Sequence, residues 1–224
     1  MRSAMMLISP SIASSNLLCL QEEVEFAHRH FRQLHIDVED GVAVPNITLG
    51  MGVCREICRR WRESRRSLHL SVLNPMAYLE RVRDCQADIV FLQVSHLPDP
   101  REVLAAYREA GVPLGLAVSN RDEPGRWEPL LDEVEQALVV TNFVGDPRRA
   151  FQPAMLDIAL DIARTRGMKT WIDGNVTFPI WRELRDTPLY AAVMGGGVYR
   201  DKEEALRQLE LAGVNQSSSG REPL

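Results

Sequence analysis

The feature that most constrains the fold is an alternation, repeated eight times, between short apolar runs and longer stretches of helical periodicity. Short runs rich in Val, Ile and Leu are typical of buried strands, whereas apolar residues spaced three and four apart predict amphipathic helices. The predicted strands cover residues 7–12, 34–38, 68–73, 89–94, 113–118, 137–141, 170–173 and 191–194. The predicted helices cover residues 20–30, 51–65, 100–110, 127–134, 153–166, 180–185 and 202–211, and a further helix begins at Pro75.

This alternation predicts an α/β fold in which helices connect parallel strands. The count of eight favours a closed (β/α)8 TIM barrel in a single domain, residues 1–214. An open doubly wound sheet is the alternative, but it normally carries a glycine-rich fingerprint after its first strand, where this chain reads SIASS from Ser11. The last residues, 215–224, are polar and predict a disordered tail.

Length, charge and cysteine usage narrow the class of protein. The 224 residues are enough for one large core, and the net charge of −5 argues against a nucleic-acid or anionic-membrane partner. No apolar run approaches the roughly 18 residues of a membrane span, and the N-terminal run is too short for a signal peptide. The four cysteines form no Cys-x-x-Cys pair, which predicts free thiols in a reducing compartment. We therefore expect a cytoplasmic protein.

Ionisable side chains gather at the predicted carboxyl ends of the strands, where a barrel of this type builds its active site. Ser11 ends the first strand, His35 and Asp37 the second, His69 the third and Asp173 the seventh. Two imidazoles and two carboxylates suit Zn²⁺, Fe²⁺, Mn²⁺ or Co²⁺, and the carboxylates offset the double charge of the ion. These residues are therefore candidate metal ligands.

The second strand separates its polar residues from its apolar ones. Strand side chains alternate faces with period 2, so His35, Asp37 and Glu39 share one face. A His and an Asp two residues apart can bind a single metal ion. The alternative, for this strand taken alone, is a half-exposed edge strand whose polar face meets water.

Several motifs, in order along residues 7–211, resemble those of the ribulose-phosphate 3-epimerase family. Any one of them is weak evidence, but their order and spacing together are specific. The motifs are ISPSI from Ile8, HIDVEDG from His35, VPNIT from Val44, LHLSVLNP from Leu68, WIDG from Trp171 and GGG from Gly195.

The resemblance implies an isomerase that epimerises a ketose phosphate at C3 through an enediolate, and a homo-oligomeric (β/α)8 barrel. His35, Asp37, His69 and Asp173 would bind one divalent metal ion (Zn, Fe, Mn or Co) per chain. Asp37 and Asp173 would also be the acid–base pair, with one of them protonated while the other is ionised. Such a pair fits the reaction, which removes a proton from one face of a carbon and returns one to the other face.

Glycines follow the seventh and eighth predicted strands, where barrels of this type often bind phosphate. Backbone N–H groups of Gly174, Gly195, Gly196 and Gly197 would approach an anion without a Cβ in the way. Asn175 stands where the family has a second glycine; its amide can still donate, but its side chain narrows the space. In the family-based interpretation, these residues bind the sugar phosphate together with Ser11 and His69. The alternative is a glycine-rich turn selected only for tight packing.

The chain departs from the family pattern in residues around the predicted site. Glu39 and Ser71 stand where the family tends to have methionines, and Gln93 stands where strand four often has a His. The glycine-rich loop after strand six is replaced by a segment that contains Arg148 and Arg149. These changes keep the predicted ligands and alter the cavity walls, which favours a sugar phosphate other than the usual pentulose phosphate, such as a ketohexose phosphate.

Two other functions are alternatives to the epimerase. A non-catalytic barrel of the same family, which binds a sugar phosphate or acts as a scaffold, is the alternative that the altered phosphate loops suggest. A related barrel that catalyses decarboxylation is less favoured, because the sequence contains no Asp–Lys network suited to that chemistry.

Overall fold

The computed structural model describes residues 5–142 and 150–213. The strands in these ranges are β1 (Leu7–Pro10), β2 (Gln33–Glu39), β3 (Arg65–Ser71), β4 (Ile89–Gln93), β5 (Leu114–Val118), β6 (Gln136–Val140), β7 (Lys169–Asp173) and β8 (Ala191–Met194). The α-helices are α1 (Leu20–Phe31), α2 (Met51–Arg60), α3 (Leu79–Cys85), α4 (Pro100–Glu109), α5 (Pro124–Trp127), α6 (Pro153–Arg166), α7 (Phe178–Leu184), α8 (Gly196–Tyr199) and α9 (Lys202–Leu211).

The strands form one parallel sheet in the order β1-β8-β7-β6-β5-β4-β3-β2. A parallel bridge between Ser11 and His35 joins its two ends, so the sheet closes into the predicted single-domain (β/α)8 barrel. The open doubly wound alternative is therefore wrong. The predicted tail, residues 215–224, lies outside the described residues, as do Arg148 and Arg149.

Two apolar layers hold the barrel together. Outward-facing strand residues such as Ile36 pack against the inner faces of the helices, for example Val24 and Phe31 of α1. Inside the barrel, Phe91 packs edge-on against Trp171, with 5.4 Å between the ring centroids. The strand alternation that the sequence shows therefore divides each strand between a helix-facing side and a barrel-facing side.

The barrel interior is apolar on one side and polar on the other. Strands β4 to β8 contribute most of its apolar side chains, whereas β1 to β3 contribute a fully buried set of polar residues that includes Ser9, His35 and Ser67. Because β2 pairs with β3 and is bridged to the end of β1, the polar face of β2 is enclosed. The interpretation of β2 as a half-exposed edge strand is wrong.

Some predicted boundaries are also wrong. The helix predicted over residues 51–65 ends at Arg60, and β3 begins at Arg65. Arg66 is a buried strand residue because its guanidinium donates to Asp88 (2.8 Å) and to the carbonyl oxygen of Cys58 (2.9 Å). The helix predicted over residues 127–134 is mostly a 3₁₀ turn, Glu128–Glu133, which follows α5.

All four cysteines are free, as predicted.

Gly115 of β5 allows the ring of Phe91 to fill the barrel interior. A Cβ at this position would lie 2.3 Å from Cδ1 and 2.5 Å from Cε1 of Phe91, and 3.1 Å from the carbonyl oxygen of Gln136. We expect Gly115→Ala to lower the free energy of unfolding by about 2–3 kcal/mol in urea denaturation, because a packed core does not accept an extra methyl group.

A double variant tests whether the clash with the ring of Phe91 causes this loss of stability. Phe91→Leu shortens the opposing side chain, so the two substitutions together should cost less than the sum of their separate effects by about 1 kcal/mol. Gly52→Ala is the matched control, since a Cβ there meets nothing within 4 Å. Wild-type stability in Gly115→Ala would contradict the packing described.

Candidate metal centre

Four side chains from three strands meet inside the barrel. His35 and Asp37 come from β2, His69 from β3 and Asp173 from β7. The parallel register places Asp37 directly opposite His69. One ligand atom from each of the four residues lies within 4.8 Å of all the others. The structure thus brings together all four residues that the sequence analysis proposed as metal ligands.

The spacing of these atoms suits an ion better than direct hydrogen bonds. Nε2 of His35 lies 3.3 Å from Oδ1 of Asp37 and 3.7 Å from Oδ2 of Asp173. Nδ1 of His69 lies 3.5 Å from Oδ1 of Asp37 and 3.8 Å from Oδ2 of Asp173. Ligands placed tetrahedrally at about 2.0–2.2 Å from Zn²⁺ are about 3.3–3.6 Å from one another. Two of the four separations lie in this range, and the other two exceed it by no more than 0.2 Å.

His35 is oriented to present a lone pair to this centre. Its Nδ1 lies 2.8 Å from Oγ of Ser67, whose hydroxyl donates to the carbonyl oxygen of Leu34. The Ser67 oxygen therefore accepts a hydrogen bond from the Nδ1–H group, which leaves Nε2 unprotonated in the neutral ring. Nε2 is buried and has no hydrogen-bond partner. A buried acceptor without a partner is costly, and a metal ion would satisfy it.

His69 is also buried, with its Nε2 turned away from the centre. That atom lies 3.2 Å from Oε1 of Gln93 and 3.3 Å from Oγ of Ser71. Nδ1 therefore faces the two carboxylates. The donor set and its orientation fit a divalent ion.

The pKa values of the two aspartic acids move in opposite directions. Burial raises the pKa of Asp173 to about 8, and the charge of Asp37 adds to the rise. Burial also acts to raise the pKa of Asp37, but the positive charges and hydrogen bonds that the rings of His35 and His69 supply when they are protonated outweigh it and hold that pKa below its ordinary value. These directions agree with the expectation that one carboxyl group is protonated while the other is ionised.

Two hydroxyl groups hold Asp37 in place. Ser11 donates to Oδ2 of the Asp37 side chain at 2.6 Å, so this predicted substrate-binding residue lies in the centre. Thr48 donates to the backbone carbonyl of Asp37 at 2.6 Å and accepts from the backbone N–H of Glu39. Asp37 is therefore fixed both through its side-chain carboxylate and through its backbone carbonyl group.

Glu39 lies beside the centre and outside the group of four. Its carboxylate accepts a hydrogen bond from Asn46 at 2.6 Å. Burial, together with the charge of Asp37, raises its pKa. Glu39 therefore lies close enough to Asp37 to feel its charge, without belonging to the four candidate ligands.

The predicted phosphate-binding residues occupy two adjacent turns, after β7 and after β8. Gly174 and Asn175 have positive φ angles of 119° and 53°. A Cβ on Gly195 would lie 2.2 Å from Oγ of Ser14, and one on Gly197 would lie 3.3 Å from the carbonyl oxygen of Val176. Packing therefore accounts for part of the glycine content, as the alternative interpretation holds, and it also places the two turns side by side.

Sequence reasoning missed the residues that orient the two imidazoles. Ser67 was not singled out, and Gln93 was noted only as a departure from the family pattern. Both lie on the barrel-facing side of their strands, two residues from another inward-facing side chain. The alternation of strand faces was the sequence signal that could have identified them.

None of the helices in the described parts of the chain has the length and hydrophobicity that crossing a bilayer requires.

Comparison with known proteins identifies relatives along the whole barrel. The sequence model of the ribulose-phosphate 3 epimerase family matches residues 7–199. The ribulose-phosphate 3-epimerase of Helicobacter pylori is 24% identical over 220 residues, which cover 95% of this chain and 99% of that protein. The enzyme of the same name from Synechocystis is 28% identical over 225 residues, which cover 94% and 93%.

Solved structures share the fold at low sequence identity. The 3-keto-L-gulonate-6-phosphate decarboxylase of Vibrio cholerae superposes with a TM-score of 0.68 at 11% identity, over 93% of this chain and 96% of that one. A mutant tryptophan synthase alpha-subunit from Pyrococcus furiosus also gives a TM-score of 0.68, at 12% identity, over 95% and 99%. At this identity the likeness concerns the barrel alone.

Proposed function

The chain belongs to the ribulose-phosphate 3-epimerase family, and on this premise we propose that it inverts C3 of a ketose phosphate with the help of one divalent metal ion. The observation that carries the proposal is the convergence of two imidazoles and two carboxylates, with one ligand atom of each within 4.8 Å of the others. Membership of a family of isomerases and this cluster both fit sugar-phosphate epimerisation.

Asp37 and Asp173 are the acid–base pair of this proposal. Strands β1 and β8 separate β2 from β7 in the barrel, so the two carboxyl groups reach the cavity from different sides. One group removes the C3 proton from one face of the substrate, which leaves an enediolate, and the other returns a proton to the opposite face. Their side chains are 16% and 20% exposed, so both can reach a substrate that enters from the barrel mouth.

Nε2 of His35, Nδ1 of His69 and one carboxylate oxygen each from Asp37 and Asp173 would hold the metal ion. When bound, the ion would act as a Lewis acid that stabilises the negative charge developing on the enediolate oxygens. The burial of both imidazoles supports this assignment, because neutral rings with fixed lone pairs bind metal ions without a large rearrangement. The ion is Zn, Fe, Mn or Co, since this ligand set suits each of them.

The phosphate group binds at the turns after β7 and β8. Gly174, Asn175, Gly195 and Gly196 would offer backbone N–H groups to it, while Ser11 and His69 lie nearer the reacting carbon. Positive φ angles in the first turn and the adjacency of the second turn support this location. A homo-oligomeric state, which the family resemblance implies, stays a prediction.

Gly174 provides a test of the phosphate site. Its φ of 119° strains any other residue, and a Cβ there would lie 2.6 Å from the side chain and 2.9 Å from the backbone nitrogen of Asn142. Since such strain is about 1–3 kcal/mol, we expect Gly174→Ala to raise KM for the phosphorylated substrate about 10- to 100-fold with a smaller change in kcat. Steady-state kinetics and inorganic-phosphate inhibition measure the effect.

The matched control is Gly125→Ala in α5, where a Cβ meets nothing within 4 Å and kinetics should stay unchanged. An unaltered KM and phosphate affinity in Gly174→Ala would remove this turn from the phosphate site.

Solvent labelling tests the proposed reaction. The protein is incubated with pentulose and hexulose phosphates in D₂O, separately with Zn²⁺, Mn²⁺, Fe²⁺ and Co²⁺, and deuterium at C3 and the epimer are measured by NMR. We expect one substrate class to gain both deuterium and the epimer. If every substrate stays unlabelled with each metal, the epimerase proposal fails, and sugar-phosphate binding without exchange would support the non-catalytic barrel.

A further inference from the structure

A chain of hydrogen bonds leads from the loop after β5 to the metal centre. Asp122 in this loop accepts a hydrogen bond from Nε2 of Gln93 at 3.1 Å. Oε1 of the same Gln93 side chain lies 3.2 Å from Nε2 of His69. Gln93 ends β4 and is fully buried, so its amide is enclosed between Asp122 and His69.

The Asp122 carboxylate is itself fixed from two loops. Ser119 donates to it through the backbone N–H (2.8 Å) and the hydroxyl group (2.7 Å), and Ser95 donates through its hydroxyl at 2.6 Å. With Gln93, the carboxylate accepts four hydrogen bonds. So many donors hold one carboxylate in one orientation, with both of its oxygen atoms acting as acceptors.

The direction of the hydrogen bonds from His69 through Gln93 to Asp122 determines the tautomer of His69. An ionised carboxylate only accepts hydrogen bonds, so Gln93 must turn its NH₂ group towards Asp122 and its carbonyl oxygen towards His69. A carbonyl oxygen also only accepts, so Nε2 of His69 carries the proton. The hydroxyl group of Ser71, 3.3 Å from the same atom, can donate or accept and is compatible with this tautomer as a second acceptor. The lone pair of the neutral ring then lies on Nδ1, which faces Asp37 and Asp173.

We propose that Asp122 is a positioning residue of the metal centre, which acts through Gln93 to keep the lone pair of His69 on Nδ1. The inference rests on the proposed function, because it concerns a ligand of the proposed metal ion. It adds to that function a dependence on a residue that touches neither the ion nor the substrate. Partners of this kind typically change metal affinity 10- to 100-fold when they are removed.

Asp122→Asn tests the direction of these hydrogen bonds with almost no change in side-chain volume. The new amide can donate to Oε1 of Gln93, which allows the Gln93 side chain to turn its NH₂ group to His69 and favour the tautomer with the proton on Nδ1. We expect the dissociation constant for Co²⁺ to rise about 10- to 100-fold. It is measured by competition with a chelator and by the Co²⁺ absorption spectrum, without any substrate.

A second substitution separates positioning from a merely structural role. Gln93→Glu in the Asp122→Asn background again places an acceptor opposite His69. The introduced carboxylate accepts hydrogen bonds from both the new amide and Nε2 of His69. We expect the double variant to recover most of the lost Co²⁺ affinity. A loop that was simply disrupted by Asp122→Asn would not recover when a residue on another strand is changed.

Two further variants complete the test. Gln93→Leu removes the acceptor for His69 and should weaken Co²⁺ binding by a similar factor, while Asp186→Asn, whose side chain is 85% exposed, should leave it unchanged. Thermal unfolding of the metal-free proteins checks that each variant folds. Wild-type Co²⁺ affinity in Asp122→Asn, or no recovery in the double variant, overturns the inference. Failure of the labelling experiment alone overturns the proposed reaction and leaves this measurement intact.

Discussion

Asp173→Asn is expected to lower kcat for epimerisation by about 10²- to 10⁴-fold and to suppress exchange of the C3 proton to a similar degree. An amide cannot take up or release the proton that the reaction moves, and its volume is almost that of the carboxyl group. The loss should therefore come from chemistry and not from repacking of the barrel. The measurement is the initial rate, with deuterium at C3 determined in the same samples.

The control for this variant is Asp186→Asn. Asp186 follows α7, away from the carboxyl ends of the strands, and its side chain is 85% exposed. The activity of the Asp186→Asn variant should therefore equal that of the wild type. Because Asp173 also belongs to the proposed ligand set, metal content is determined for each preparation and rates are compared at saturating metal. An Asp173→Asn rate near that of the wild type would exclude this carboxyl group from the reaction.

Removal of the metal ion is expected to abolish activity and to lower the melting temperature. The ion binds a site that exists only in the folded chain and offsets the repulsion between the carboxylates of Asp37 and Asp173. At a free-ion concentration about 100 times the dissociation constant, binding contributes about 2.7 kcal/mol, which for a chain of this size raises Tm by about 5–10 °C. Differential scanning fluorimetry with chelator, and then with each added ion, measures the shift.

His69→Ala provides the matched comparison for the metal experiment. The variant lacks one proposed ligand, so its melting temperature should respond to the same ions by only a small fraction of the wild-type shift. Full activity and an unchanged melting temperature in a wild-type sample shown to be free of metal would contradict a metal-dependent centre.

Much of the barrel could be predicted because its sequence signal is local. Each strand is a short apolar run, and each such run is followed by a helical pattern, so the eight units can be counted directly. The start of β3 could not be predicted, because Arg66 is polar and becomes a strand residue only through its contacts with Asp88 and the Cys58 carbonyl. The bridge between Ser11 and His35 that closes the sheet also depends on the assembled fold.

The candidate ligands could be predicted more completely than their surroundings. His35, Asp37, His69 and Asp173 lie within the predicted strands 34–38, 68–73 and 170–173 and are uncommon residue types in a barrel interior, which made them conspicuous. The residues that orient them could not be predicted in the same way. Ser67 and Gln93 are ordinary polar side chains, and their roles depend on which strands are neighbours.

Asp122 illustrates the limit of sequence reasoning. It lies 29 residues from Gln93 along the chain and reaches it only after the loop following β5 folds back over the end of β4. No local pattern indicates this contact. The roles of the glycine turns in phosphate binding and the homo-oligomeric state stay predictions, because they concern molecules other than this single chain.

The central claim is that four side chains from β2, β3 and β7 hold one metal ion. Anomalous diffraction from crystals grown with Zn²⁺ or Co²⁺ tests it most directly. One peak per chain should lie about 2.0–2.2 Å from Nε2 of His35, from Nδ1 of His69, and from a carboxylate oxygen of Asp37 and of Asp173. Absence of a peak there at saturating metal, or a peak that leaves out any of these four residues, would contradict the claim.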